Sequence, residues 1–193
     1  MKKFALCGPS GVGKGYVSSI ICSNFGLPVL DTDRVVHTLY REDKELISTL
    51  ADIFGNDIIS DGEINRKALG AIVFSNPEAL KRLNLTVHKR VREYILNWFD
   101  IMEKEGHSAA FADIPQIIES GMISDFDLII TVSAREDIRL ERILSRDGIC
   151  LEDAKRRISN QLSMEEYEKI SDHIIYNNGE EDITDKLEKI LTR

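Results

Sequence analysis

GPSGVGKG, Gly8 to Gly15, stands between an apolar run, Phe4–Cys7, and a stretch of helical character, Tyr16–Phe25. Gly8 to Lys14 fits G-x-x-x-x-G-K, and a strand before with a helix after is the setting in which that pattern wraps phosphates. The reason is local. Glycines let backbone N–H groups turn inward, and the helix N-terminus adds partial positive charge. Gly8, Ser10, Gly11, Val12, Gly13, Lys14, Gly15 and Tyr16 are therefore expected around a nucleotide, with Lys14 reaching the β- and γ-phosphates. Gly15 departs from the usual pattern, which places a Ser or Thr hydroxyl there for Mg²⁺. Tyr16 is a poor substitute.

Outward from the loop, strand-length apolar runs recur at Pro28–Leu30, Ala109–Ala112, Leu128–Val132 and Ile174–Tyr176, with amphipathic helical segments between them. Buried strands alternating with helices predict an α/β fold, a parallel sheet of five strands covered on both faces as three layers. Ligands of such sheets lie beyond the carboxyl ends of the strands. Two stretches look inserted: a helical one from about residue 65 to 104, and a charged one, SRDGICLEDAKRRISNQ, at 145–161. No linker or repeat divides the chain, so one domain with appendages is expected.

The 193 residues suffice for one core. A net charge of −8 opposes nucleic acid and anionic membrane, which need a basic face. The apolar run after Lys2 and Lys3 stops at Cys7, too short for an export core, and no stretch is long enough to span a bilayer. Cys7, Cys22 and Cys150 show no C-x-x-C spacing and read as reduced, mostly buried thiols. A monomer in the cytosol is expected.

Other residues add chemistry. Asp31 and Asp33 flank Thr32 at a strand end. In an extended segment both would face one side, one orienting an acceptor or a metal-bound water and the other taking a proton. Either could equally cap the helix that follows. Asp113 ends the run Ala109–Ala112, where an acid can hold a water of a Mg²⁺ shell. Arg139, Arg142 and Arg146, at i, i+3 and i+7, share a helix face that an anion would relieve of repulsion.

Taken together, these motifs point to a family. GLPVLDTDRVVHTLY (26–40), DGEINRKALGAIVFSNPEALKRLNLTVH (61–88), DIPQIIESG (113–121), RLERILSRDG (139–148), RRISNQ (156–161) and DHIIYNNG (172–179) resemble dephospho-coenzyme A kinase in content and order. The resemblance implies a P-loop kinase that moves the γ-phosphate of ATP to the ribose 3′-hydroxyl of dephospho-coenzyme A, the last step of coenzyme A biosynthesis. It implies a core at about 1–60, 107–138 and 172–193, a helical substrate region at 61–106 and a lid at 139–171. It implies Asp33 as base and Lys14 as stabiliser of the transferring group. Arg142, Arg146 and Asn178 would face ATP, with Arg157 in the lid. Asp31, Arg66, His88 and Glu119 would face the acceptor. Lys89 stands where the family has Pro, and Gln116 replaces an apolar residue. The GKG of the loop is similar to adenylate kinases, which leave Mg²⁺ largely to water. A nucleoside monophosphate kinase of that type is one competing reading, though no D-G-x-P-R stretch accompanies it. A non-catalytic ATP-binding module is the other, opposed by the retained Asp31, Asp33 and arginines.

Overall fold

The computed structural model describes residues 1–179 and 182–192. Residues 180, 181 and 193 of the expected C-terminal core segment lie outside the described residues. In order, the elements are β1 (Lys2–Cys7), α1 (Lys14–Phe25), β2 (Val29–Asp31), α2 (Thr32–Glu42), α3 (Lys44–Phe54), β3 (Ile59–Ser60), β4 (Glu63–Ile64), α4 (Arg66–Val73) and α5 (Pro77–Lys104). They continue with β5 (Ala109–Asp113), β6 (Leu128–Ser133), α6 (Glu136–Asp147), α7 (Leu151–Ser159), α8 (Met164–Ile170), β7 (His173–Tyr176) and α9 (Ile183–Leu191). They group into two compact units, Met1–Leu30 with Met102–Arg193, and Asp31–Ile101.

The first unit is built on a five-stranded sheet in the order β2-β5-β1-β6-β7. β1 runs parallel to β5 and β6, and β6 to β7, with Phe4 level with Phe111 and Leu128. Phe4 to Cys7 are all buried, without the alternation of a half-exposed strand, so helices must cover both faces. α9 packs on α1 and β7, and α8 on β6. Phe4, Leu6, Val17, Ile21, Phe111, Ile130, Ile175 and Leu187 form the core. The Phe4 and Phe111 rings stand 4.9 Å apart and tilted. The chain leaves β1 for the sheet edge at β2 and later crosses to β6 on the other side. The order therefore switches beside β1, and the loop Gly8–Gly13 emerges at that point.

At the end of β1, Cys7 is buried, its sulfur 3.1 Å from Thr131 Oγ1. Burial pushes its thiol up to about 11, against the hydrogen bond to Thr131. The expectation of mostly buried cysteines is corrected for the other two. Cys22 lies on the outer face of α1, and Cys150 precedes α7 with its thiol on Asp153; both are exposed.

In the second unit, α5 buries Leu83, Val87, Val91, Ile95 and Phe99, one stripe at every fourth residue. Asp43 closes α2 and opens α3, its carboxylate accepting the Leu46 N–H at 3.0 Å. Arg90 of α5 donates to Asp43, Glu45 and Glu93, tying α5 to the α2–α3 corner. A two-stranded antiparallel hairpin, β3 with β4, precedes α4. Its turn is Asp61-Gly62, both residues at positive φ (54° and 80°), the geometry of a type I′ turn. Among the described residues no helix is long and apolar enough to cross a membrane.

Candidate active site

The loop after β1 is held from outside by its carbonyls. Arg139 Nε donates to Ser10 O at 3.0 Å. Arg142 Nη1 donates to Val12 O at 3.1 Å and to Gly11 O at 3.4 Å. Asn177, itself buried, donates from Nδ2 to Val12 O at 2.9 Å. In a trans peptide the carbonyl of one residue and the N–H of the next point opposite ways. Drawing the carbonyls of Ser10, Gly11 and Val12 toward α6 and the end of β7 therefore aims the N–H groups of Gly11, Val12 and Gly13 the other way. That is the requirement for a phosphate cradle. Gly11 (φ 83°) and Gly13 (φ 86°) permit the turn, and a Cβ would meet Arg139 O at 2.6 Å in the first and Asn177 Nδ2 at 2.3 Å in the second. Gly13 is the N-cap of α1, so the helix N-terminus opens where the loop ends.

Lys14 donates from Nζ to Gly8 O at 3.1 Å and stands 4.0 Å from Asp113 Oδ1, at the carboxyl end of β5. A Cβ at Gly15 would meet nothing within 4 Å, so the absent hydroxyl reflects no crowding. Tyr16 is exposed beside it.

The arginine stripe of α6 is not one kind of site. Arg139 is buried, and burial holds its guanidinium below the ordinary value, opposed by the charge of Glu136. It works on the loop backbone and on Gln161, whose Oε1 also accepts the Ser10 N–H at 3.0 Å. Arg146 reaches Ser10 Oγ at 3.4 Å, but its firmer bonds go to Asp147, which Arg157 also engages. Asn178 Oδ1 accepts the Arg135 N–H at 2.9 Å. Glu119 is exposed in the turn after β5. Burial, then the charge of Glu119, pushes the Tyr167 hydroxyl up to about 12.

The remaining expected residues belong to the second unit. Asp31 and Asp33 do not share an extended segment. Asp31 ends β2 and caps α2, accepting the Arg34 N–H at 3.2 Å, whereas Asp33 is already helical and exposed in the first turn. The preference of Asp for the cap position ends the strand two residues earlier than the paired-acid expectation requires. Arg66 opens α4, its Nη1 3.1 and 3.2 Å from the two ring nitrogens of His37. His88 is half-buried on α5. Sequence reasoning missed Asn177 and Gln161, and misread Arg139. The spacing of Arg139 on the stripe was a signal for the loop, while nothing local marks Gln161, 151 residues from its partner.

The comparisons with known proteins agree with this geometry. Residues 3–182 match the family model described as dephospho-CoA kinase. A dephospho-CoA kinase of Geobacillus kaustophilus is 37% identical over 175 residues, covering 90% of this chain and 87% of the relative. The solved dephospho-CoA kinase of Campylobacter jejuni superposes with a TM-score of 0.72 at 30% identity, over 100% of this chain and 96% of that one. A shikimate kinase of Acinetobacter baumannii, at 15% identity, TM-score 0.54 and coverage of 100% and 92%, shares the P-loop kinase fold. With its loop, sheet order and relatives in agreement, the chain belongs to the dephospho-CoA kinase family, which phosphorylates dephospho-CoA with ATP in coenzyme A biosynthesis.

Proposed function

We propose that the phosphoryl group passes from ATP to the ribose 3′-hydroxyl of dephospho-CoA, with Asp33 as the base and Lys14 as the cation on the transferring group. The phosphate loop carries this reading. Its carbonyls are tied outward and its N–H groups turned inward, with Lys14 at the helix N-terminus. Such fixed donors stabilise phosphoryl transfer because they need not reorganise as charge shifts. Asp33, exposed on the first turn of α2, has no capping duty and is available to the acceptor hydroxyl. Asp31, held as the cap, sets the start of the helix that carries Asp33. Gly8, Ser10, Gly11, Val12, Gly13, Lys14, Gly15 and Tyr16, with Arg142, Arg146 and Asn178, bind ATP; Asp31, Asp33, Arg66, His88 and Glu119 bind the acceptor. The region 61–106 serves the acceptor, and 139–171 serves as a lid that excludes water.

Mg²⁺ fits these residues. Among the described residues no three His, Cys, Asp or Glu side chains group as a metal site. A cation bound mainly by phosphate oxygens and water needs only one carboxylate. Asp113, 4.0 Å from Lys14, would be that carboxylate, reaching the cation through one of its waters. Bound there, Mg²⁺ would neutralise phosphate charge. The enzyme works as a cytosolic monomer without nucleic acid, consistent with its charge of −8. Neither a nucleoside monophosphate kinase nor a non-catalytic module is favoured by the family match.

The test is turnover of ATP and Mg²⁺ with dephospho-CoA, AMP or no acceptor, with products identified by mass. ADP formed together with coenzyme A is expected. Phosphorylation of AMP alone would overturn the reading.

A further inference from the structure

The turn from α6 to α7 carries an acid that the reaction described so far leaves without a role. Asp147 is the last residue of α6, where the negative end of the helix dipole opposes an anion. Yet its side chain is only 21% exposed, less than the two cations that meet on it, Arg146 at 61% and Arg157 at 44%. Arg146 donates to it as a fork, Nε to Oδ1 at 2.8 Å and Nη2 to Oδ2 at 2.9 Å. Arg157, from α7, donates from Nη1 to the same Oδ2. The fork holds the Asp147 carboxyl below its usual value, so it stays an anion at neutral pH. Arg156 and Asp153, one turn apart on α7, show the ordinary alternative, a surface pair at 3.0 Å with both side chains open to solvent. Two features tie the Asp147 cluster to the phosphate loop. Nη2 of Arg146 also lies 3.4 Å from Ser10 Oγ, so one line runs from Arg157 through Asp147 and Arg146 to the loop. Two guanidiniums on one carboxylate leave a surplus positive charge there, in a protein whose net charge is −8. Among the described residues, Nη1 of Arg146 and Nε and Nη2 of Arg157 donate to no other group.

We infer that Asp147 is a positioning residue for phosphoryl transfer: it gathers Arg146 and Arg157, from two helices, at the phosphate loop, so that the spare N–H groups of both meet the phosphates of ATP. The inference rests on ATP as the donor and on Arg146 facing it, as proposed above. Two guanidiniums side by side repel, and each ends a long side chain with much rotamer freedom to lose. A shared carboxylate cancels the repulsion and fixes both side chains before ATP arrives. The phosphates then meet donors that are already oriented, and charge developing in transfer is met without rearrangement. The acid itself cannot bind phosphate, because both are anions. It acts only through the arginines, and without it Arg157 loses the contact that holds it to Arg146.

The test is steady-state kinetics of the full chain with ATP, Mg²⁺ and dephospho-CoA, for wild type, Asp147→Asn, the pair Arg146→Met with Arg157→Met, and all three changes together. Asp147→Asn should lower kcat about tenfold and raise the KM of ATP about threefold or more. The KM of dephospho-CoA and the inhibition constant of adenosine, which has no phosphate, should stay within about twofold. Added to the arginine pair, Asp147→Asn should cost less than about twofold more, because the side chains it acts through are gone. Exposed ion pairs add little stability, so thermal midpoints should stay close to wild type. Unmoved ATP kinetics in Asp147→Asn overturn the inference and leave the ATP assignment of Arg146 standing. Tighter ATP binding overturns it too, making the acid a competitor of phosphate. Equal weakening of ATP and adenosine would make Asp147 structural, and a full loss in the arginine-free background would give it a direct role; either result overturns the inference. An arginine pair variant with wild-type ATP kinetics removes the ATP assignment of Arg146, and wild type that forms no coenzyme A removes the reaction; the inference falls with either.

Discussion

The two units treat their polar groups in opposite ways. In the first, the groups around the phosphate loop are fixed: Arg139 and Asn177 are buried, and each donates to a loop carbonyl. In the second, Asp33, His37 and Arg66 are exposed, and their contacts are few. Phosphates are held by backbone dipoles, which act only when the backbone is rigid. An acceptor is held by side chains, which can adjust as it arrives. A stiff donor cradle needs buried, fixed partners, which the loop has, whereas exposed side chains with few contacts keep the freedom that an acceptor surface would need.

The strongest way to break that contrast is at the exposed acid. Asp33→Asn should lower kcat by about 10²–10⁴-fold, while ATP affinity by calorimetry stays near wild type. Turnover close to normal would take the proton-accepting role from Asp33. Next comes the fixed side. Arg139→Met keeps the bulk of the side chain but leaves Ser10 O without its donor. A cost of about 1–3 kcal/mol is expected, with ATP binding weakened about tenfold. An unchanged ATP affinity would mean that the loop keeps its shape without this clamp.

A third change asks whether the second unit has a fixed centre of its own. Asp43→Ala removes a helix cap and the main partner of Arg90, and should cost about 2 kcal/mol at pH 7. The thermal midpoint should fall by about 4–8 °C. The hydrogen bond from Arg90 holds the Asp43 carboxyl below its usual value. Its contribution is thus fully present above the unfolded value near 3.9 and is lost as pH falls through the folded value. The gap between wild type and variant should close in acid, and a gap that persists there would assign the loss to packing. The smallest effect belongs to Gly15→Thr. The space is open, so ATP affinity should move by less than about threefold, while the Mg²⁺ titration shifts. An identical titration would count against a missing hydroxyl as the reason for the departure.

Much of the first unit was legible. Its strands are short apolar runs with no alternation, and Phe4–Cys7 before GPSGVGKG gave both the sheet and its ligand end. The hairpin was harder, because strands of two residues carry no periodicity; only Asp61-Gly62 marks the turn. The loop could be read as a cradle, but not what shapes it. Gln161 and Asn177 act from 151 and 165 residues away, and a single sequence does not encode such pairings locally. Arg139 carried a true signal with the wrong object, since charge spacing marks an anion-like partner without telling a phosphate from a carbonyl. Asp31 and Asp33 were found as residues, but cap preference decided between them only when the helix start was seen.

The buried thiol at the end of β1 gives the protein a built-in chemical clock. A thiol pushed up to about 11 and shielded from solvent is almost entirely protonated at neutral pH, and it is the thiolate that alkylating reagents attack. Cys22 and Cys150 are open to such reagents in the native state, so two labels should attach quickly and the third only when the sheet opens at the root of the phosphate loop. The slow label, followed by mass, times that opening directly, and bound ATP should delay it.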